Sequence, residues 1–266
     1  MEPSVLTLSE PQRTPYDLNF ELFGFPIRIH PLFWLAALIW GFNAESDGVS
    51  MLMWVTVMLL SLLVHELGHA VMIRHYGRHA RVVLYFMGGL AIEDSGSPWA
   101  VKYGRQGRTT VEQIWISAAG PLAGFLLAGI TWVGIYVTGG SVNLIFSVEA
   151  MPYADPRLGG ALQANSHLTM FVSNLLYINI FWGLVNLIPV IPLDGGQIAQ
   201  AWLTANDSFQ GTIKALWLSV FAGAAAAIVF GILMHEMFLL MLFASLAFSC
   251  YTTVQQIQGS GRGRPW

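Results

Sequence analysis

Two short segments of this chain carry groups whose types and spacing suit metal chemistry. The first, His65-Glu66-Leu67-Gly68-His69, places two imidazoles four residues apart. On a helix, positions i and i+4 share a face, so both rings can reach one ion. Glu66 lies on the adjacent flank, where it can hold a water on that ion. Zinc suits such a set: nitrogen ligands, an open coordination position and a base for the water. Chance gives the pattern in roughly 1 of 160 chains of this composition, by multiplying residue frequencies. The second segment is Asn186-Leu187-Ile188-Pro189-Val190-Ile191-Pro192-Leu193-Asp194-Gly195-Gly196. Pro189 and Pro192 break a helix, and Gly195 and Gly196 permit a sharp turn. Asp194 is the candidate third ligand, completing two His and one carboxylate plus a water. Its plain alternative is a helix cap, because the stretch 197–203 reads as helix.

The elements that must hold these groups follow from composition. The chain has 266 residues, 55% hydrophobic and 10% charged. Ordinary soluble domains carry about 25% charge. A net charge of −3 gives no case for binding nucleic acid. The single cysteine, Cys250, excludes an internal disulfide and a cysteine-based zinc finger. Residues 1–19 are polar, with Pro3, Pro11 and Pro15, and lack the short basic-then-apolar start of a secretory signal. The expected fold is an all-α polytopic membrane protein of about six transmembrane helices. A small membrane-associated β-hairpin is expected near the cytoplasmic side.

The six apolar runs are 29–42, 51–73, 111–137, 168–190, 213–234 and 237–254. A span needs about 20 residues, so the first is short and borders the strand-like stretch 20–29. His235-Glu236 leaves only a tight turn between the last two runs, which are expected to pair antiparallel. Every Lys and Arg except Arg157 falls on one side of this arrangement. Retention of cations on the cytoplasmic side then places both termini in the cytoplasm. The loops 43–50 and 139–167 face outward, and the second reads as loose structure. The expected domains are a polar tail (1–19), one membrane-embedded domain (20–255) and a C-terminal tail (256–266).

Depth ties the two segments together. At ~1.5 Å per residue from Met51, His65 lies ~21 Å along a ~30 Å core, ~9 Å from its cytoplasmic edge. Asp194 ends the fourth run on the same side at similar depth. Ionisable groups within a span are costly and usually functional. The stretch 80–94 is a poor span: Val82, Val83, Leu84, Tyr85 and Phe86 favour strand, and Gly88-Gly89 offers a turn. Backbone of this kind at membrane depth must be covered by protein or line a wet cavity. Its strands offer an edge for an extended peptide. Phe86, Gly88 and Gly89 are therefore candidate substrate-binding residues, the bland alternative being a simple turn. Gly120, Gly124 and Gly129 read as close-packing positions between helices. His30, His75, His79, His167 and His235 read as polar interface residues.

Together, the His65–His69 motif in a span and Asn-x-x-Pro-x-x-Pro-x-Asp-Gly from Asn186 to Gly195 resemble the site-2 protease family of intramembrane zinc metalloproteases. Phe86-Met87-Gly88-Gly89 resembles that family's glycine-bearing membrane hairpin. Ala118-Ala119-Gly120-Pro121-Leu122-Ala123 resembles its third-span motif, although many relatives have Asn where this chain has Gly124. The stretch from Gly24 to His30 is also similar, so the resemblance covers about residues 20–205. It implies one zinc ion per chain on His65, His69 and Asp194, with Glu66 as the base. It implies that Asn186 steadies the oxyanion or orients substrate; the alternative is an interhelical hydrogen bond. The implied substrate is a single-span membrane protein within the lipid bilayer, and the implied location is a prokaryotic cytoplasmic membrane. Oligomeric state is not implied. The form expected is a compact one, without the PDZ or CBS module of many relatives.

Two rival readings are weighed against this. A zinc protease with a glutamate third ligand would use Glu93, Glu112, Glu149 or Glu236, none of which sits mid-span with a companion motif. A catalytically inactive metal-binding or scaffold protein that holds single-span partners would usually have lost a ligand or the Glu, and here all are present.

Overall fold

A computed structural model describes residues 10–41, 47–86, 88–93, 107–145, 153–159 and 165–262. Among the described residues, five helices are long and apolar enough to cross a membrane. They are α2 (Gly48–His75), α3 (Thr110–Val137), α4 (Ser166–Asn186), α6 (Ser208–Leu233) and α7 (Met237–Arg262). The first expected span is instead a short helix, α1 (Pro31–Gly41). Its 11 residues rise ~16 Å, about half of a ~30 Å hydrocarbon core. The cause is local: residues 25–29 are committed to a strand, and Pro31 opens the helix only after it. Trp54 of α2 covers the far end of α1, donating its indole N–H to the Ala37 carbonyl at 3.1 Å.

Helix starts follow from capping side chains. Asp47 accepts from the Ser50 amide ahead of α2, and Asn165 accepts from Leu168 ahead of α4. Thr109 and Glu112 form a reciprocal capping box at α3, satisfying amides that a helix start leaves free. Asp207 accepts from the Phe209 and Gln210 amides ahead of α6. The α6–α7 turn is as tight as expected, with His235 at a φ of 56°. Helices α4 and α6 each widen into a π-type turn, over Ile178–Trp182 and Val229–Leu233.

The hairpin expected at 80–94 is present as β3 (Ala80–Tyr85) and β4 (Gly88–Glu93). It belongs to a small four-stranded sheet. Strands β1 (Leu18–Leu22) and β2 (Phe25–Ile29) form a second hairpin turning at Phe23-Gly24, and the order is β1-β2-β3-β4. Strand β2 pairs parallel with β3, with Ile27 opposite Val82. Parallel neighbours need a crossover, and here α1 and α2 are that crossover. Phe25, Ile27, Ile29, Val82 and Leu84 pack with Phe33 of α1 and Ile73 of α2 in one core. Arg28 fastens the segment before β1: it reaches Asp17 and Glu10, both at 2.9 Å. Burial pushes the Asp17 carboxyl up, but hydrogen bonds from Thr14 and Arg28 outweigh it and hold the group down at about 2.

The loop 139–167 is not wholly loose. Strands β5 (Ser141–Ile145) and β6 (Tyr153–Arg157) pair antiparallel within it, which its Gly, Pro and Asp content concealed. His75, His79, His167 and His235 are exposed, whereas His30 is buried and its Nδ1 accepts from the Leu32 amide. Met87, Trp99, Lys102, Arg105 and Arg264 lie outside the described residues.

Candidate active site

Helix α2 carries His65, Glu66 and His69 on its inward side, all three buried. One ligand atom from each lies within 4.8 Å of the others. Asp194 joins them from α5 (Asp194–Thr204), whose first residue it is. Nε2 of His65 lies 3.2 Å from Oδ2 of Asp194, and Nε2 of His69 lies 3.4 Å from its Oδ1. The two Nε2 atoms are 3.2 Å apart. Ligand atoms held at ~2.0–2.1 Å around a tetrahedral zinc are about 3.3 Å from one another. The separations match that spacing, with a different carboxylate oxygen facing each imidazole, and the donor chemistry suits zinc.

The second nitrogen of His69 fixes its tautomer. Nδ1 lies 2.6 Å from the Ile116 carbonyl. A carbonyl only accepts, so Nδ1 carries the proton and the Nε2 lone pair faces the site. That carbonyl is in α3, just before Gly120-Pro121. A Cβ on Gly120 would strike Nε2 of His69 and come within 2.7 Å of Nε2 of His65. Gly120 is thus a floor under the two imidazoles. The packing role expected for it was too modest; the signal was a Gly-Pro pair in mid-helix. Gly120→Ala is expected to abolish zinc binding while α3 still forms, measured as zinc per chain in purified protein; unchanged zinc content would overturn this assignment.

Gly89 does the same for Glu66. A Cβ there would strike the Glu66 carboxylate. Gly89 is a close-approach position, whereas Gly88, with φ of 119° and nothing nearby, serves the turn. Phe86 beside it is exposed. The hairpin thus rests its β4 strand on the carboxylate beside the imidazoles.

The loop before Asp194 is clamped from several sides. Side chains on Gly195 and Gly196 would run into backbone at Leu187 and Val190, so the proline-bearing loop closes tightly on the first turn of α5. Ser219 of α6 accepts from the Ile191 amide at 3.1 Å. Gln197 accepts from Gln113 of α3 at 3.0 Å and donates to the Pro192 carbonyl at 3.1 Å. Gln113, Gln197 and Ser219 were not foreseen; ordinary polar residues carry no motif. Asn186 is buried and, among the described residues, its side chain makes no hydrogen bond. The interhelical bond weighed for it is therefore not made.

His65, Glu66, His69, Asn186 and Asp194 all line one cavity of about 520 Å³. Phe86, Gly88 and Gly89 also line it. It runs on between apolar side chains of α7, including Phe238 and Met241. Trp40 of α1 stands at its side, 5.4 Å from the Phe238 ring and 6.3 Å from Trp182. Two of the rival glutamates are engaged elsewhere, and a third lies in a turn. Glu93 pairs with Arg78 and Arg108, Glu112 caps α3 and pairs with Arg78, and Glu236 sits in the α6–α7 turn. Glu149 lies outside the described residues.

Metal-ligating side chains thus meet among helices long enough to cross a membrane, and comparison with known proteins gives the family. Residues 53–230 match the model of peptidase family M50. The chain belongs to this family, which the resemblance named above as that of the site-2 proteases. A zinc metalloprotease of Methanocaldococcus jannaschii is 26% identical over 227 residues, covering 84% of this chain and 56% of its own length. A relative from Synechocystis sp. is 26% identical over 227 residues, covering 76% of this chain and 50% of its own. The chain thus spans about half the length of these curated relatives. The solved site-2 protease from Methanocaldococcus jannaschii shares the fold, with a TM-score of 0.52, 22% identity and coverage of 90% of this chain and 95% of that one.

Proposed function

We propose that this chain is an intramembrane zinc metalloprotease that cleaves the transmembrane segment of a single-span membrane protein. The observation that carries the proposal is the meeting of His65, His69, Asp194 and Glu66 at one buried cavity among membrane-spanning helices. His65, His69 and Asp194 would hold one zinc ion per chain. When bound there, zinc would polarise the scissile carbonyl and acidify a water. Glu66 takes the proton of the attacking water and passes it to the leaving amine. Gly89 leaves room for the Glu66 carboxylate, which a side chain there would displace. Asn186, which lines the cavity, steadies the developing oxyanion or orients the substrate.

A helical segment hides its peptide bonds within its own hydrogen bonds, so the substrate must be presented extended. Strand β4 has a neighbour only on its β3 side within the described sheet, and an extended peptide can add to the other. Phe86, Gly88 and Gly89 would then contact the substrate. The charge distribution favours both termini in the cytoplasm, with the site toward that side. A prokaryotic cytoplasmic membrane, and one embedded domain spanning 20–255 between two tails, complete the reading.

The test is reconstitution with a single-span protein in vesicles. Cleavage within its apolar segment is expected, lost on chelation and restored by zinc. A protein that takes up zinc but leaves a panel of such segments intact would instead be a scaffold that holds them.

A further inference from the structure

Outside the main cavity, a small separate cavity of about 10 Å³ lies between α2, α3 and α4. Its wall includes His65, Ser61, Gly124 and Asn179. Asn179 is 3% exposed and sits in the π-type turn of α4. Its Nδ2 donates to Ser61 Oγ and to the Leu175 carbonyl, each at 2.8 Å. The carbonyl only accepts, so the amide cannot be flipped, and Oδ1 is fixed on the opposite side. Among the described residues, Oδ1 has no hydrogen-bond partner. A Cβ on Gly124 would stand 3.3 Å from it, so Gly124 keeps the space before Oδ1 open. A buried carbonyl oxygen without a donor is destabilising.

His65 has the complementary need. Its Nε2 is directed at Asp194 and His69. A metal-ligating histidine gives its other N–H to an acceptor, as His69 does to Ile116. Among the described residues, the polar partners of the His65 ring are all at Nε2. The cavity it shares with Asn179 has the size of about one water probe.

Resting on the zinc reading, we propose that Asn179 is a positioning residue for His65, acting through one water held in this cavity. The water donates to Asn179 Oδ1 and accepts from the His65 Nδ1–H. It thereby fixes the tautomer that leaves Nε2 free and holds the ring against rotation. Gly124 keeps the place for that water.

The experiment is zinc affinity by chelator competition, together with thermal melting of the zinc-free protein, for wild type, Asn179→Leu and Gly124→Ala. Asn179→Leu removes the acceptor, and zinc binding is expected to weaken by about tenfold, the lower end of what losing an outer partner of a ligand costs. The zinc-free melting temperature is expected to fall, because the Nδ2 bonds to Ser61 and Leu175 are lost as well, so it reads the structural part of the change apart from the zinc affinity. Gly124→Ala expels the water with Asn179 intact and is expected to weaken zinc similarly, so it carries the test should Asn179→Leu not fold. Zinc affinity within about twofold of wild type, with a lowered zinc-free melting temperature, would mean that Asn179 only joins α4 to α2, and would overturn the inference. Absence of zinc binding in wild type would overturn the zinc reading itself, and this inference with it.

Discussion

Glu66→Gln is expected to keep zinc bound and to lower cleavage by about 10²–10⁴-fold, the usual worth of a positioned general base. The substitution keeps the shape of the side chain, so the contact with Gly89 and the packing of β4 on α2 survive. What disappears is the group that accepts the proton of the water. Zinc content measured beside cleavage separates the two effects: full activity in a zinc-loaded Glu66→Gln protein would refute the base assignment. Loss of zinc together with activity would instead make Glu66 part of the ligand set, which its place within 4.8 Å of the two imidazoles makes worth checking.

Asp194→Ala is the second large effect. It removes one of the three converging donors and the negative charge that faces both imidazoles. Zinc affinity is expected to fall by more than about 100-fold, beyond the range for losing an outer partner. The clamp on the loop from Ser219, Gln197 and the two glycines does not involve the carboxylate, so the loop keeps its path. Asn186→Ala, by contrast, is expected to change zinc affinity less than about tenfold while cleavage falls about 10²–10³-fold, as for an oxyanion donor. Competition with a zinc chelator decides between them. A larger loss of zinc in Asn186→Ala than in Asp194→Ala would mean that the third ligand is misassigned.

The metal-facing residues were legible because metal chemistry restricts both type and spacing. Two His at i and i+4 on a helix can only be neighbours, and a broken helix followed by Asp-Gly-Gly at matching depth narrows the partner to Asp194. The five long spans were legible because length and apolarity decide them. Contacts between distant segments were not. The parallel pairing of β2 with β3 depends on how α1 and α2 fold back, which no local pattern encodes. The shortness of α1 was hinted at by its run of apolar residues, but its strand neighbour β2 decided it. Gly120 and Gly89 look like ordinary helix-packing and turn glycines until the atoms opposite them are known. Asn179 gave no signal, since a lone Asn in an apolar helix carries no spacing rule.

The crossover has a consequence for the order in which the protein is made. Strand β2 leaves the ribosome before α1 and α2, and its parallel partner β3 only after both. The loop that their pairing closes, from Ile27 to Val82, contains the whole helix bearing His65, Glu66 and His69. Non-local pairings of this kind come late, because loop closure must precede their reward. The helix must therefore be inserted before the sheet can be completed across it. Only then can the β4 strand settle on Glu66, so the nascent chain holds that carboxylate uncovered until the hairpin that packs on it has been synthesised.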